Sequence, residues 1–60
     1  MSKIREARQK QQMTQKQLAA LLRTDQSLVS KWETGEHTPF PNTLTRIAEA
    51  LKVREEELKA

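Results

Sequence analysis

The 60-residue sequence contains no cysteine, no tyrosine and a single histidine, His37, which limits the chemistry open to it. Without cysteine there is neither a disulfide framework nor a thiolate metal site, and one histidine supplies only one imidazole ligand. A chain of this length forms one domain and buries only ~60% of its unfolded surface, which leaves no room for an enclosed catalytic cavity. No base is paired with a nucleophile either. We therefore expect residues 1–60 to form a single domain that is not an enzyme and that needs no metal or cofactor.

Long apolar segments are also missing. The longest run, residues 18–22, has five apolar side chains, whereas a membrane-spanning helix needs ~20. The sequence near Met1 lacks the apolar core of a signal peptide. These absences predict a soluble, cytoplasmic protein.

Glycine and proline are scarce, with one Gly and two Pro in the whole chain. Ala, Leu, Gln, Glu, Lys and Arg dominate and β-branched residues are few, a composition that favours helix throughout. Apolar periodicity and capping signals predict an all-α domain of five helices. We expect a first helix from Ser2 to about residue 12, a second after Thr14, a third over residues 26–34, a fourth from Pro41 and a short fifth after Val53.

The second and third predicted helices are separated by only three polar residues, 23–25. Thr14 and Gln17 have the spacing of a capping box that opens the second helix. Asp25 is a suitable N-cap for the third helix, and Gly35 is a suitable C-cap in the left-handed conformation. The apolar face of the second helix is expected to consist of Leu18, Ala19, Leu21 and Leu22. Two short helices joined in this way form a helix-turn-helix, which exposes the second helix of the pair.

The net charge of +3 hides an uneven distribution of charged side chains. Residues 1–31 contain seven basic and two acidic side chains, whereas residues 32–60 contain four basic and six acidic ones. The first half therefore favours anionic partners. A solubilising surface explains the same numbers, so the placement of individual residues has to distinguish the two interpretations.

The third predicted helix has two different faces at about 100° per residue. Val29 and Trp32 point to one side, with Glu33 beside them. The opposite side is short, polar and uncharged or cationic, and it comprises Ser27, Ser30, Lys31 and Thr34, flanked by Gln26 and Leu28. Glutamine can bond adenine N6 and N7 together, and lysine suits guanine O6 and N7 or a phosphate. The alternative is the ordinary solvated face of an amphipathic helix.

Several motifs in this region are specific. Thr-Gln opens the second helix at residues 14–15, Leu-Ala follows at 18–19, and Val-Ser-x-Trp-Glu-x-Gly occupies 29–35. Downstream stand Pro39, Ile-Ala-x-x-Leu-x-Val at 47–53, and Leu58. From Ile4 to Leu58 the chain thus resembles the helix-turn-helix family of phage repressors, Cro proteins and xenobiotic-response-element regulators. The resemblance implies a compact, five-helix, lambda-repressor-like domain that binds double-stranded DNA with its third helix in the major groove.

The resemblance also implies roles for individual residues. Gln26 and Ser27 take the base-reading positions at the start of the recognition helix, with Leu28 and Lys31 beside them. Gln15 takes the position whose side chain and backbone N–H hold a phosphate, which agrees with the positive end of a helix dipole. In some members a glutamine at this position also braces the one at the position of Gln26, so we expect that hydrogen bond here. We further expect Gln26 on an adenine, Ser27 or Lys31 on a guanine, and Leu28 either on a thymine methyl or packed within the protein.

Further phosphate contacts are expected from hydroxyl and amide donors at helix ends and in the loop before the fourth helix. These candidates are Thr14, Ser30, Thr34, Thr38, Asn42 and Thr43. His37 donates to phosphate when protonated and is otherwise a solvated loop residue. Glu36 replaces the basic residue common in the family, which weakens this anchor. Arg23 replaces a glycine common after the second helix, so we expect a positive φ there with ~1 kcal/mol of strain.

Two charged residues lie on apolar stripes. Arg8 follows Ile4 by four residues and Glu33 follows Val29 by four, so both are predicted to point inward, where an unpaired charge is costly. We expect them to form an ion pair, an arrangement that the resemblance also implies. A contact from Arg8 to a phosphate is the secondary interpretation.

Together these observations predict a sequence-specific transcriptional regulator, most simply a repressor. Such a protein binds as a homodimer to half-sites about one helical turn apart, because one recognition helix reads few bases. The dimer surface is expected near Pro39, Phe40, Val53 and Leu58, although Leu58 suits the core equally well. Residues 55–57, all glutamate, should face away from phosphates.

The alternative prediction is a protein-interaction module of the same fold, antitoxin-like or anti-repressor-like, with little DNA specificity. Such a surface needs large exposed apolar anchors. On the recognition face only Leu21 and Leu28 meet that requirement.

Overall fold

The computed structural model describes residues 2–59 and contains five α-helices and no strand within that range. The helices are α1 (Lys3–Lys10), α2 (Gln15–Leu22), α3 (Gln26–Thr34), α4 (Pro41–Leu51) and α5 (Glu55–Leu58). The predicted all-α, five-helix domain is confirmed. The helix bounds agree with the sequence prediction except in α1, which ends at Lys10 rather than near residue 12.

One apolar core joins all five helices. Its most deeply buried side chains are Leu18, Val29, Ile47 and Leu51, none of which exposes measurable surface. Ile4 and Leu58 close the core from the two ends of the chain. On α2 the sequence prediction was wrong at one position, because Leu21 is 58% exposed while Ala19 is buried. The inward stripe of α2 therefore follows Leu18, Ala19 and Leu22.

Several helix ends have the caps that the sequence predicts. The Thr14 hydroxyl accepts from the Gln17 N–H and the Gln17 side chain accepts from the Thr14 N–H, at 3.0 and 2.8 Å, which completes the capping box. Gly35 ends α3 with φ +87°. Asp25 does occupy the N-cap position of α3, but its side chain makes no capping hydrogen bond. The first N–H groups of α3 are therefore left without a side-chain acceptor.

In the described part of the chain, three residues other than glycine adopt the left-handed conformation at or just after helix ends. Arg23, at the C-terminus of α2, has φ 56°, as its replacement of a glycine predicts. Gln12, after α1, and Lys52, after α4, have φ 55° and 58°. A side chain with a Cβ is strained in this conformation. The turns after α1, α2 and α4 therefore each carry a small cost in backbone conformational free energy.

The contact between α2 and α3, the helix-turn-helix pair, is the most extensive contact between two helices of residues 2–59. Helix α4 packs on α2, and Arg46 donates from Nη2 to the carbonyl oxygen of Leu22 at 2.8 Å. That bond satisfies one of the carbonyls left unpaired at the C-terminus of α2. Among residues 2–59, every helix is too short or too polar to cross a bilayer.

Candidate nucleic-acid interface

The outward face of α3 carries the base-reading candidates. Gln26, Ser27 and Lys31 are exposed, and no side-chain hydrogen bond within residues 2–59 occupies any of the three. The opposite face is anchored by Val29 and Trp32, which are buried. Helix α3 is therefore fixed on one side and presents unused donors and acceptors on the other.

The Leu28 side chain packs mainly within the protein rather than standing on the exposed face of α3. It is half-buried and packs against the apolar core. Part of its side chain is still accessible, so contact with a thymine methyl would use only that part. Ser30 is also half-buried, which makes it less accessible than the sequence pattern suggests.

The N-terminus of α2 offers a second group of donors. The capping box occupies the Gln17 N–H and the Thr14 N–H, while the Thr14 hydroxyl keeps its own proton free to donate. The backbone N–H groups of Gln15 and Lys16 donate to no atom of the described chain. Two unpaired N–H groups at the positive end of a helix dipole favour an anion. Lys16, which is exposed, adds a cation at the same end. The sequence prediction missed Lys16, although its place in the first turn of α2 was the available signal.

Arg8 and Glu33 lie side by side in the structure, between α1 and the C-terminal half of α3. Arg8 Nε and Nη2 donate to the two carboxylate oxygens of Glu33 at 2.6 and 3.2 Å, a bidentate geometry. Arg8 Nη1 also donates to the carbonyl oxygen of Met13 at 2.7 Å. The two side chains are 11% and 3% exposed. The guanidinium is thus committed within the protein, which leaves little of it for a phosphate.

Gln15 differs from its expected arrangement. Its Nε2 donates to Glu33 Oε1 at 3.1 Å, and it makes no hydrogen bond to Gln26. The expected Gln15–Gln26 bond is wrong for this structure, because a carboxylate is a stronger acceptor than a neutral amide and lies within reach. The glutamine therefore connects the N-terminus of α2 to the Arg8–Glu33 pair. The only signal for this contact in the sequence is the inward position of Glu33.

The predicted phosphate donors around the loop before α4 differ in how many of their protons are already used within the protein. The Thr34 hydroxyl donates to the Lys31 carbonyl oxygen at 3.2 Å, so this proton is already used within α3. Asn42 Oδ1 accepts from the Thr43 N–H at 2.9 Å, which leaves the Asn42 amide protons free and occupies the Thr43 N–H. Thr38 is exposed and its hydroxyl is uncommitted within residues 2–59, whereas Thr43 is half-buried. Asn42 and Thr38 are the stronger phosphate donors of this group.

The expected dimer surface is only partly available. Phe40 is 76% exposed, the most exposed large apolar side chain of the described residues. Pro39 and Val53 are half-buried, and Val53 packs against the core. Leu58 is 7% exposed and belongs to the core, so of its two predicted roles the structure supports the internal one. His37 is exposed, and its backbone N–H donates to the Lys31 carbonyl oxygen at 3.2 Å.

The acidic cluster, residues 55–57, lies on α5, which packs on α1 and α4 rather than on the α2–α3 pair. The acidic side chain nearest the donors of α2, Glu33, is neutralised by Arg8. The exposed charges on α2 and on the outward face of α3 are then Lys16 and Lys31, both positive. The positive charge of these two side chains is compatible with an anionic partner at that face.

Comparison with known proteins agrees with this geometry. A family model described as helix-turn-helix matches residues 4–58, nearly the whole chain. No curated protein matches the chain.

Proposed function

The chain belongs to the Cro/C1-type helix-turn-helix family of DNA-binding transcription regulators, and from this membership we propose that α3 reads the sequence of a double-stranded operator from the major groove. The observation that carries the proposal is the outward face of α3, where Gln26, Ser27 and Lys31 have polar side-chain groups that no atom of residues 2–59 uses. Since a DNA-binding regulator works where the DNA is, we place the protein in the cytoplasm.

The chemistry of these side chains suits the edges of bases. The amide of Gln26 can donate to adenine N7 and accept from adenine N6, and the ammonium of Lys31 can donate to guanine O6 and N7. The Ser27 hydroxyl both donates and accepts, so it adapts to several bases. Gln26 lies in the first turn of α3 and is not held by Gln15, so its amide is free to take the orientation that the base requires.

Phosphate contacts orient α3 in the groove. The strongest candidates are the backbone N–H groups of Gln15 and Lys16, with the hydroxyl of Thr14 beside them. Asn42 and Thr38 provide further donors, at and just before the start of α4. Weaker contributions come from Ser30, Thr34 and Thr43. Several phosphate contacts together fix the register of the recognition helix on the duplex.

We also propose that the protein acts as a homodimer on DNA and represses transcription by occupying its operator. One recognition helix presents three free side chains, and a single short helix reads too few bases for a unique site. Phe40 is the centre of the proposed dimer surface because it is large, apolar and 76% exposed.

Phe40→Ser should leave the fold intact and abolish cooperative binding to two half-sites in a gel-shift titration. Unchanged cooperativity would exclude this surface.

Selection from random duplexes, followed by sequencing of the bound DNA, tests the proposed function. The expected result is one enriched half-site, present twice with two-fold symmetry about one helical turn apart. The matched control is the Gln26→Ala/Ser27→Ala double variant, which keeps the fold because both residues are exposed. It should still retain DNA at low salt through phosphates but lose the preference at the base positions read by Gln26 and Ser27, and keep the preference at the position read by Lys31. Absence of an enriched half-site with the unmodified protein would overturn sequence-specific binding.

A second candidate function is a protein-interaction module, and one observation favours it. Leu21, on the outer face of α2, is 58% exposed, and Phe40 is more exposed still. An interaction module would use such side chains as anchors. The same selection distinguishes the two functions, because an interaction module would enrich no duplex. For such a module, Leu21→Ser should abolish binding of its protein partner.

A further inference from the structure

The Glu33 side chain contacts two other helices, α1 and α2. Its carboxylate accepts from Arg8 on α1 and from Gln15 at the first position of α2, while Glu33 itself lies near the end of α3. With a side chain only 3% exposed, it has no access to DNA. Any effect of Glu33 on DNA binding must therefore pass through another residue.

The bond to Glu33 determines which way the Gln15 amide faces. A carboxylate only accepts hydrogen bonds, so the atom of the amide that faces it has to be Nε2 and not Oε1. One of the two Nε2 protons is used in this bond, and the second proton remains free. Without Glu33 the amide could turn over and present Oε1, an acceptor, to a phosphate that accepts only. The carboxylate removes that unfavourable orientation.

Arg8 strengthens the arrangement. Its two hydrogen bonds at 2.6 and 3.2 Å and a third to the Met13 carbonyl oxygen hold the carboxylate in one position. The Met13 carbonyl directly precedes the N-cap of α2, so the same guanidinium fixes both the carboxylate and the start of that helix. The position of the Gln15 amide relative to the free N–H groups of Gln15 and Lys16 is then set by the protein before DNA arrives.

We infer that Glu33 is a positioning residue for DNA binding: it orients the Gln15 amide so that the remaining Nε2 proton, together with the backbone N–H groups of Gln15 and Lys16, binds one phosphate. The inference rests on the proposed function and adds to it a residue, with a side chain only 3% exposed, that sets the geometry of the phosphate site. It also accounts for the missing Gln15–Gln26 bond, because the amide serves the phosphate site instead of the base reader.

The test measures affinity for the selected duplex at a temperature at which circular dichroism shows every variant to be folded. Gln15→Met removes the amide and keeps the backbone N–H groups, and it should weaken binding about tenfold, since the lost bond is made to a charged group. Arg8→Met/Glu33→Leu removes the acceptor of the amide without leaving an unpaired charge, and it should weaken binding several-fold. Adding Gln15→Met to that double variant should cause little further loss, because the two changes remove one interaction.

Duplexes with one neutralised phosphate distinguish a positioning role of Glu33 from a general loss of protein structure. Duplexes with a single methylphosphonate at successive positions should reveal one phosphate at which the loss caused by Gln15→Met disappears. The loss caused by Arg8→Met/Glu33→Leu should disappear at the same phosphate. A loss of equal size on every duplex would show that Glu33 has a structural role only and would overturn the inference. Arg8→Met/Glu33→Gln, which also leaves no unpaired charge and places beside Gln15 an amide that both donates and accepts, replaces the first double variant if that variant does not fold.

The matched control is Gln9→Met, an exposed glutamine on α1 that makes no side-chain hydrogen bond within residues 2–59. It should bind every duplex like the unmodified protein. The proposed function fails if no duplex is enriched in the selection. The positioning role fails alone if a duplex is bound but no phosphate distinguishes the variants.

Discussion

Replacement of Arg8 by methionine tests how much of the stability depends on one ion pair. Arg8→Met keeps most of the apolar stem and removes three hydrogen bonds, two to Glu33 and one to the Met13 carbonyl oxygen. The Glu33 carboxylate, 3% exposed, then keeps Gln15 as its only donor within residues 2–59. A buried charge that loses its partner destabilises a protein by ~3–5 kcal/mol.

That loss is large relative to the stability of the whole domain. At ~0.05–0.15 kcal/mol per residue, a chain of this length has a free energy of unfolding of roughly 3–9 kcal/mol. Arg8→Met is therefore expected to remove at least about a third of that stability, and at the lower end of the range it should unfold the protein at room temperature. Arg8→Met/Glu33→Leu removes both charges, and since apolar replacements of buried pairs are often neutral, it should unfold within ~1 kcal/mol of the unmodified protein.

Urea unfolding measures both variants directly. Trp32 is the single tryptophan, is 8% exposed and lies in the core, so its fluorescence reports loss of the packed state, and circular dichroism reports helix content. The expected order of stability is unmodified protein, then the double variant close to it, then Arg8→Met far below. If Arg8→Met and the double variant lost the same small amount of stability, the ion pair would not be a buried, mutually dependent one.

Three further substitutions test the helix ends by the same unfolding measurement. Thr14→Ala breaks the capping box and should cost ~1 kcal/mol, and a variant as stable as the parent would show that the box contributes nothing. Arg23→Gly relieves the left-handed backbone at φ 56° and should stabilise the domain by ~0.5–1 kcal/mol, whereas a loss of stability would contradict the assigned strain. Gly35→Ala should cost ~1 kcal/mol for the opposite reason, because at φ +87° the added Cβ meets no atom within 4 Å and only the backbone conformation is penalised. A cost well above that value would indicate a clash that the structure does not contain.

The fold was predictable from the sequence because its signals are local. The capping box at Thr14, the glycine at position 35 and the proline at the start of α4 each act within a few residues of where they stand. The apolar spacing of Leu18 and Leu22 identifies the inward face of α2, but it does not distinguish Leu21 from Ala19, since both lie at the edge of the stripe. Packing against α3 and α4 decides between them, and that information is not local.

For the candidate site, the sequence predicted which side chains are exposed better than it predicted which side chains hydrogen-bond to one another. Exposure of Gln26, Ser27 and Lys31 follows from the helical period and from the burial of Val29 and Trp32. The partner of Gln15 does not follow from any period, because Glu33 lies 18 residues away and is brought near by the packing of α3 on α1 and α2.

The central claim is that α3 reads bases and that Gln26 is one of the readers. The most direct measurement compares the affinity of the unmodified protein and Gln26→Ala for the selected duplex and for all its single-base variants. Gln26→Ala should lose ~1–3 kcal/mol of discrimination at one base position while its preference elsewhere is unchanged. A uniform loss of affinity for all duplexes, with the preference at every position retained, would contradict the claim.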